Sequence, residues 1–267
     1  MQPNNVLDPR RLGFYFRQHF TANYRPYLLG ILSMFGLMTA IPVLMLVTGN
    51  RFNQLNDIVA IYYIGLFFVG LLFTSMAFSE FSNKEKGVNF LMLPASQFEK
   101  FITMFLITSI GFLLVYHLCA YSAYLIVVSV KYSISQQHIQ NDWDFFTERN
   151  GHVYFYYTYI FLHSVFLLGA VSFNKAPFIK TIVALFAVLF ALYILNGLFS
   201  YILFGSKLES IKNQFPFVLI NTHGGNKQQG LYLISQPMQD AYKFIAQYLL
   251  APILWTIAYF RLKDKEI

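Results

Sequence analysis

The stretch Ile179–Phe204, IKTIVALFAVLFALYILNGLFSYILF, carries one charge, Lys180, in 26 residues. At 1.5 Å per residue a helix of this length crosses about 30 Å of hydrocarbon. Apolar residues fill it without alternation, which disfavours a membrane strand with its period of two. Lipid also requires every backbone N–H and C=O to be met within the segment, and a helix does this.

Five other windows share this character. The spans read about 27–48, 58–78, 101–129, 153–173, 179–204 and 241–260, the third long enough to tilt or project from the bilayer. Over the 267 residues 57% are hydrophobic and 12% charged, with 30 Phe and 19 Tyr; a soluble domain carries about 25% charge. The expected fold class is therefore an all-α integral membrane protein of six transmembrane helices. No repeat, low-complexity tract or appended soluble domain interrupts it, so 1–267 reads as one membrane domain.

Basic residues orient the bundle, because loops retained in the cytoplasm keep their Lys and Arg. One side collects Arg10, Arg11, Arg17, Arg25, Lys84, Lys86, Lys100, Lys175, Lys180, Arg261, Lys263 and Lys265. The other holds Arg51, Lys131, Arg149, Lys207, Lys212, Lys227 and Lys243. Both termini fall on the richer side and are expected to be cytoplasmic. This topology also accounts for the net charge of +7, since the basic residues form no stripe and no nucleic-acid-binding motif accompanies them. Nucleic acid is not an expected partner.

The first long apolar run starts near residue 27 and exceeds a signal peptide's core, so no cleavable signal is expected. Ahead of it, Asp8 and Pro9 read as an N-cap and first helical position. Leu12, Tyr15, Phe16 and Phe20 then recur at helical spacing beside Arg10, Arg11 and Arg17. Segment 1–26 is thus expected to be an amphipathic helix lying in the interface, arginines toward anionic lipid headgroups; the alternative is a cytoplasmic helix packed on the bundle. Between spans five and six, 205–240 holds FPFVLI and GLYLIS around NTHGGNKQQ. A hairpin with a Gly-rich turn, two interfacial helices and a re-entrant loop are all compatible with it.

Between spans two and three, LMLPASQFEKF (Leu91–Phe101) interrupts the apolar pattern with charge and proline. Ser96 lies three residues before Glu99 at the head of an apolar periodic run, the signature of a capping box. Pro94 disfavours helix at Leu93, so the chain breaks there. Upstream, SNKEKGVNFLM (Ser82–Met92) mixes Asn83, Lys84, Glu85 and Lys86 with Val88, Phe90, Leu91 and Met92. A capped turn explains Pro94, Ser96 and Glu99. It leaves the roughly 20-residue length and the apolar cluster unexplained, since helix connections need about 2–8 residues, whereas a cytoplasmic partner would use both.

Polar residues inside spans are costly in hydrocarbon and face a cavity or another helix. His117, His163 and Asn196 are the clearest. For both histidines interhelical hydrogen bonding is favoured over proton relay or ligand binding, and Asn196 beside Gly197 reads as interhelical glue. Pro42 and Pro252 are expected to kink the first and sixth spans. Cys119 is the only cysteine, so no intrachain disulfide can form, and it reads as packing. The sequence contains no GxxxxGK[ST] phosphate loop, HExxH zinc helix, GxSxG elbow or cysteine cluster, so no catalytic, cofactor or metal residue is assigned.

In this order of elements the chain resembles the ABC-2 type permease, the six-span membrane subunit of bacterial ATP-binding-cassette exporters. The resemblance lies in Leu93, Pro94 and Ser96 followed by acidic Glu99 and basic Lys100, in FNKAPFIKT (Phe173–Thr181), and in the closing AYFRLKDKEI (Ala258–Ile267). It implies that Asn83–Leu93, within a cytoplasmic loop of about 79–100, forms or adjoins a coupling helix docking on a separate ATP-binding subunit. It further implies that ATP and Mg belong to that subunit and that the permease is no enzyme. Two permeases would pair as a homodimer or heterodimer in the bacterial cytoplasmic membrane. The rival readings are a membrane-embedded enzyme acting on lipid-linked substrates, with His117 or His163 as base, and a noncatalytic anchor of a larger assembly.

Overall fold

The computed structural model describes residues 7–48, 55–82, 95–135, 152–204, 219–223, 229–233 and 235–266. Their helices are α1 (Pro9–Val47), α2 (Leu55–Ser75), α3 (Gln97–Leu106), α4 (Phe112–Ser135), α5 (His152–Ser172), α6 (Pro177–Phe204), α7 (Gln236–Phe244) and α8 (Leu250–Lys263). A π-helical turn, Ile107–Gly111, joins α3 to α4 without interruption, and another, Ile245–Leu249, joins α7 to α8. Five of the resulting rods are long and apolar enough to cross a membrane, and the 21-residue α2 is a shorter apolar helix beside them. The architecture is that of a multi-pass membrane protein with five to six such helices.

Expected and observed helix limits differ in informative places. The expected division near residue 26 is absent: α1 runs unbroken for 39 residues with Pro26 and Pro42 inside it, so the basic segment and the first span form one rod. The sixth rod starts earlier than expected, at Gln236. Pro252 cannot donate a backbone hydrogen bond, and its ring crowds the carbonyl four residues back. That residue, Tyr248, lies in the π-helical turn, a known way to absorb such a mismatch.

Outside the helices, β1 (Leu219–His223) pairs antiparallel with β2 (Gln229–Leu233) in the register Leu219 to Leu233 and His223 to Gln229. This selects the hairpin among the three possibilities for that segment. It also adds a small two-stranded sheet to an otherwise helical chain.

α5 is the central helix, packed by α2, α6 and α8, while α1 lies along α3 and α4. Two cores result. One is rich in tyrosine, with Tyr62, Tyr116, Tyr124 and Tyr159 buried beside Met34, Met38 and Leu66; the Tyr116 hydroxyl donates to the Tyr62 carbonyl. The other gathers Tyr15, Phe78, Phe101, Leu167, Val171 and Leu262. Hydroxyls within the helices turn back on their own carbonyls, as Thr74 does to Gly70 and Ser75 to Leu71. This keeps their polarity out of the hydrocarbon.

Candidate functional site

The second core closes one end of the bundle, and Glu99 organises it. Ser96 is the N-cap of α3: its Oγ accepts from the Glu99 N–H at 3.1 Å, and Glu99 Oε2 accepts from the Ser96 N–H at 2.8 Å. This capping box is local, but Glu99 reaches further. Its Oε1 accepts from the Asp8 N–H at 2.8 Å, and Arg11 donates from Nε to Oε2 and from Nη2 to Oε1, each at 2.8 Å. The carboxylate is fully buried. Such a group persists in the interior only when its lone pairs are met, and here two amides and a guanidinium meet them.

The same carboxylate thereby ties the N-cap of α3 to the N-cap of α1. Asp8, which accepts from the Arg10 N–H at 2.9 Å, starts α1. Arg11 was counted in the sequence as one more basic residue on the richer side, and Glu99 was fully accounted for by its cap. The contact between them, 88 residues apart, had no sequence signal of its own.

Other chain ends converge here. Phe98 and Phe101 set their rings edge-on to Tyr259 of α8 at 5.7 Å. Lys265, just past α8, donates to Asn174 Oδ1 at 2.6 Å in the loop between α5 and α6. Partial burial, and secondarily Arg261, hold the Lys265 ammonium below the usual lysine range. Lys180 lies over the Phe173 ring at 5.9 Å. In that loop Ala176 has φ of 50°, a left-handed conformation costly for a residue with a Cβ, and its carbonyl accepts from the Lys180 N–H. An open cavity of about 450 Å³ lies beside the start of α1, lined by Arg10, Arg11, Phe14, Gln18 and Ala95 among others. The expected coupling residues Asn83, Lys84, Glu85, Lys86, Phe90, Leu91, Met92 and Leu93, and the helix-breaking Pro94, lie outside the described residues. The chain re-emerges from that segment at Ala95, on the edge of this cavity.

The intramembrane polar residues stand apart from this end and from one another. His117 bonds the Leu113 carbonyl through Nδ1 and the Tyr156 hydroxyl of α5 through Nε2, both at 2.7 Å. His163 of α5 bonds Thr108, in the π-helical turn, at 3.2 Å. Phe105, Tyr159 and Trp255 surround its ring at 6.1 to 6.3 Å. Both histidines thus join helices. Asn196 is buried on an otherwise exposed stretch of α6, and its Oδ1 finds no partner among the described residues. Among the described residues no group of His, Cys, Asp and Glu is arranged to hold a metal.

No protein-family model matches the chain, and no curated protein or solved structure matches it. Function has to be argued from the site.

Proposed function

We propose that this chain is the membrane-spanning permease subunit of an ABC exporter, coupled to a separate ATP-binding subunit and resident in a bacterial cytoplasmic membrane. The support is the resemblance carried by Leu93, Pro94, Ser96, Glu99 and Lys100, together with one structural observation. Glu99 bonds the chain where it leaves the 83–94 segment and, at the same time, the start of α1. In this proposal 83–94 docks on the ATPase, and closure of two ATPases around ATP and Mg displaces it. Through Ser96 and Glu99 the displacement passes to α3 directly and to α1 through Asp8 and Arg11. One buried carboxylate thus moves two transmembrane rods together.

The basic ends of α1 and α8 then face the cytoplasm, with the start of α1 in the interface, and two permeases pair around the pathway. This chain supplies the pathway and no catalysis. Co-purification from native membranes tests the proposal: a soluble subunit bearing a phosphate loop should accompany the chain, and Phe90→Asp or Leu91→Asp should release it while the bundle stays folded. A partner lacking ATPase motifs supports the anchor reading instead, and stoichiometric ATP turnover by the isolated chain overturns the assignment.

A further inference from the structure

α1 meets the bundle twice, and the two meetings are unequally spaced on the two rods. Near its start Asp8 and Arg11 reach Glu99. Farther on, Met38 and Tyr116 both pack beside Gly65. Between these points α1 advances from residue 11 to 38, while the α3–α4 rod advances only from 99 to 116. At 1.5 Å per residue these are about 40 Å and about 25 Å, so α1 takes an oblique path and stands off in between. An open groove of about 420 Å³ occupies the gap, walled by Phe20, Tyr27 and Ile31 of α1, Phe73 of α2, and Ile107 and Ile110 of the π-helical turn. No charged residue lines it among the described residues.

The mouth of the groove differs from its walls. With 3.6 residues per turn, Arg17 falls on the flank of α1 shared by Phe20 and Tyr24. The Arg25 guanidinium curls onto that flank, its Nε donating to the Tyr24 hydroxyl at 2.9 Å and its Cζ 5.7 Å from the ring centre. α1 contains no Asp or Glu to answer these charges. An apolar slot with two arginines at one end matches an anionic lipid, tail and headgroup. A second copy of a chain with net charge +7 would bring more like charge than opposite charge to that mouth.

We propose that the groove holds one acyl chain of an anionic glycerophospholipid whose phosphate sits between Arg17 and Arg25. This requires only that the chain be embedded in lipid, and it stands independently of any ATPase partner.

The test uses the full chain in nanodiscs containing photoreactive lipids with a diazirine on the acyl chain, either phosphatidylglycerol or phosphatidylcholine, with crosslinks mapped by mass spectrometry. Phosphatidylglycerol should label 107–111 and 27–34 in preference to phosphatidylcholine. Arg17→Gln and Arg25→Gln should each reduce that preference about fivefold. A Cβ at Gly30, which lines the groove, would meet nothing within 4 Å, so Gly30→Leu fills the slot without collision. It should abolish the labelling while the melting temperature is retained. Equal labelling of the wild type by both lipids overturns the proposal, as do undiminished labelling of a folded Gly30→Leu variant and crosslinks joining two protein copies through these residues. If any variant fails to fold, the comparison of the two lipids on the wild-type chain still decides.

Discussion

α6 and the end of the bundle at Glu99 invert the order familiar from soluble proteins. α6 is the most apolar rod, yet only 6% of its apolar stretch is buried, against 44% for neighbouring α5. The Glu99 end buries a carboxylate, Lys100 and Gln97. In water the apolar helix would be the core; in lipid, burial gains an apolar side chain little, and polar groups and small residues seek the interior instead. α5 accordingly turns His163, Ser164 and Gly169 inward, while α6 spreads Val183, Phe186, Phe190 and Ile194 outward.

The largest effect is expected at the polar end. Glu99→Ala leaves the Arg11 guanidinium and the Asp8 and Ser96 amides without their acceptor and should cost about 2–3 kcal/mol. Thermal unfolding in detergent measures it, and adding Arg11→Gln to that variant should change little more. A Glu99→Ala protein as stable as wild type would mean that the buried carboxylate does not hold α1.

The junction between the contrasting helices comes next. At Gly169 of α5 an added Cβ would collide with the Thr181 side chain of α6. Gly169→Leu should therefore separate α6 from α5 at a cost of about 1–3 kcal/mol, read as a lowered melting temperature and new protease sensitivity in α6. Gly36→Leu, where the Cβ would meet nothing, is the control and should be neutral. Equal behaviour of the two would show that close approach does not hold α6 in place.

Ser96→Ala removes one half of the capping box and should cost about 1 kcal/mol, leaving the Glu99 bonds to Arg11 and Asp8. If it costs as much as Glu99→Ala, the cap and the tie to α1 are a single unit.

The gap between these sites and their sequence signals has physical causes. Spans were legible because the bilayer imposes a length, and the box at Ser96 and Glu99 because its partners are three residues apart. Arg11 was not, since a charge on the expected side of the membrane already had an explanation and a partner 88 residues away leaves no local trace. The continuity of α1 through Pro26 went against the local rule that proline marks a boundary. The π-helical turns depend on packing around Thr108 and on Pro252, which no periodicity encodes. At His117 and His163 the need for a polar partner was legible from burial in hydrocarbon, but the identity of Tyr156 and Thr108 was not.

The smallest effect is expected on the outer face of α6. Leu189→Ala, at a half-exposed position, should change stability by less than about 0.5 kcal/mol in a monomer. A loss of about 2 kcal/mol or more, falling as detergent dilutes the protein, would show that a second copy covers this face, and the contrast with α5 would then belong to the isolated chain alone.

The tie between Arg11 and Glu99 also has a history within each molecule. During synthesis at about 5–20 residues per second, the 88 residues separating the pair take roughly 4–18 s to appear. For that interval the start of α1 has no carboxylate to receive it, and water and lipid phosphates alone can answer its arginine. The emergence of Glu99 then makes the third rod the clasp that fixes where the first one begins.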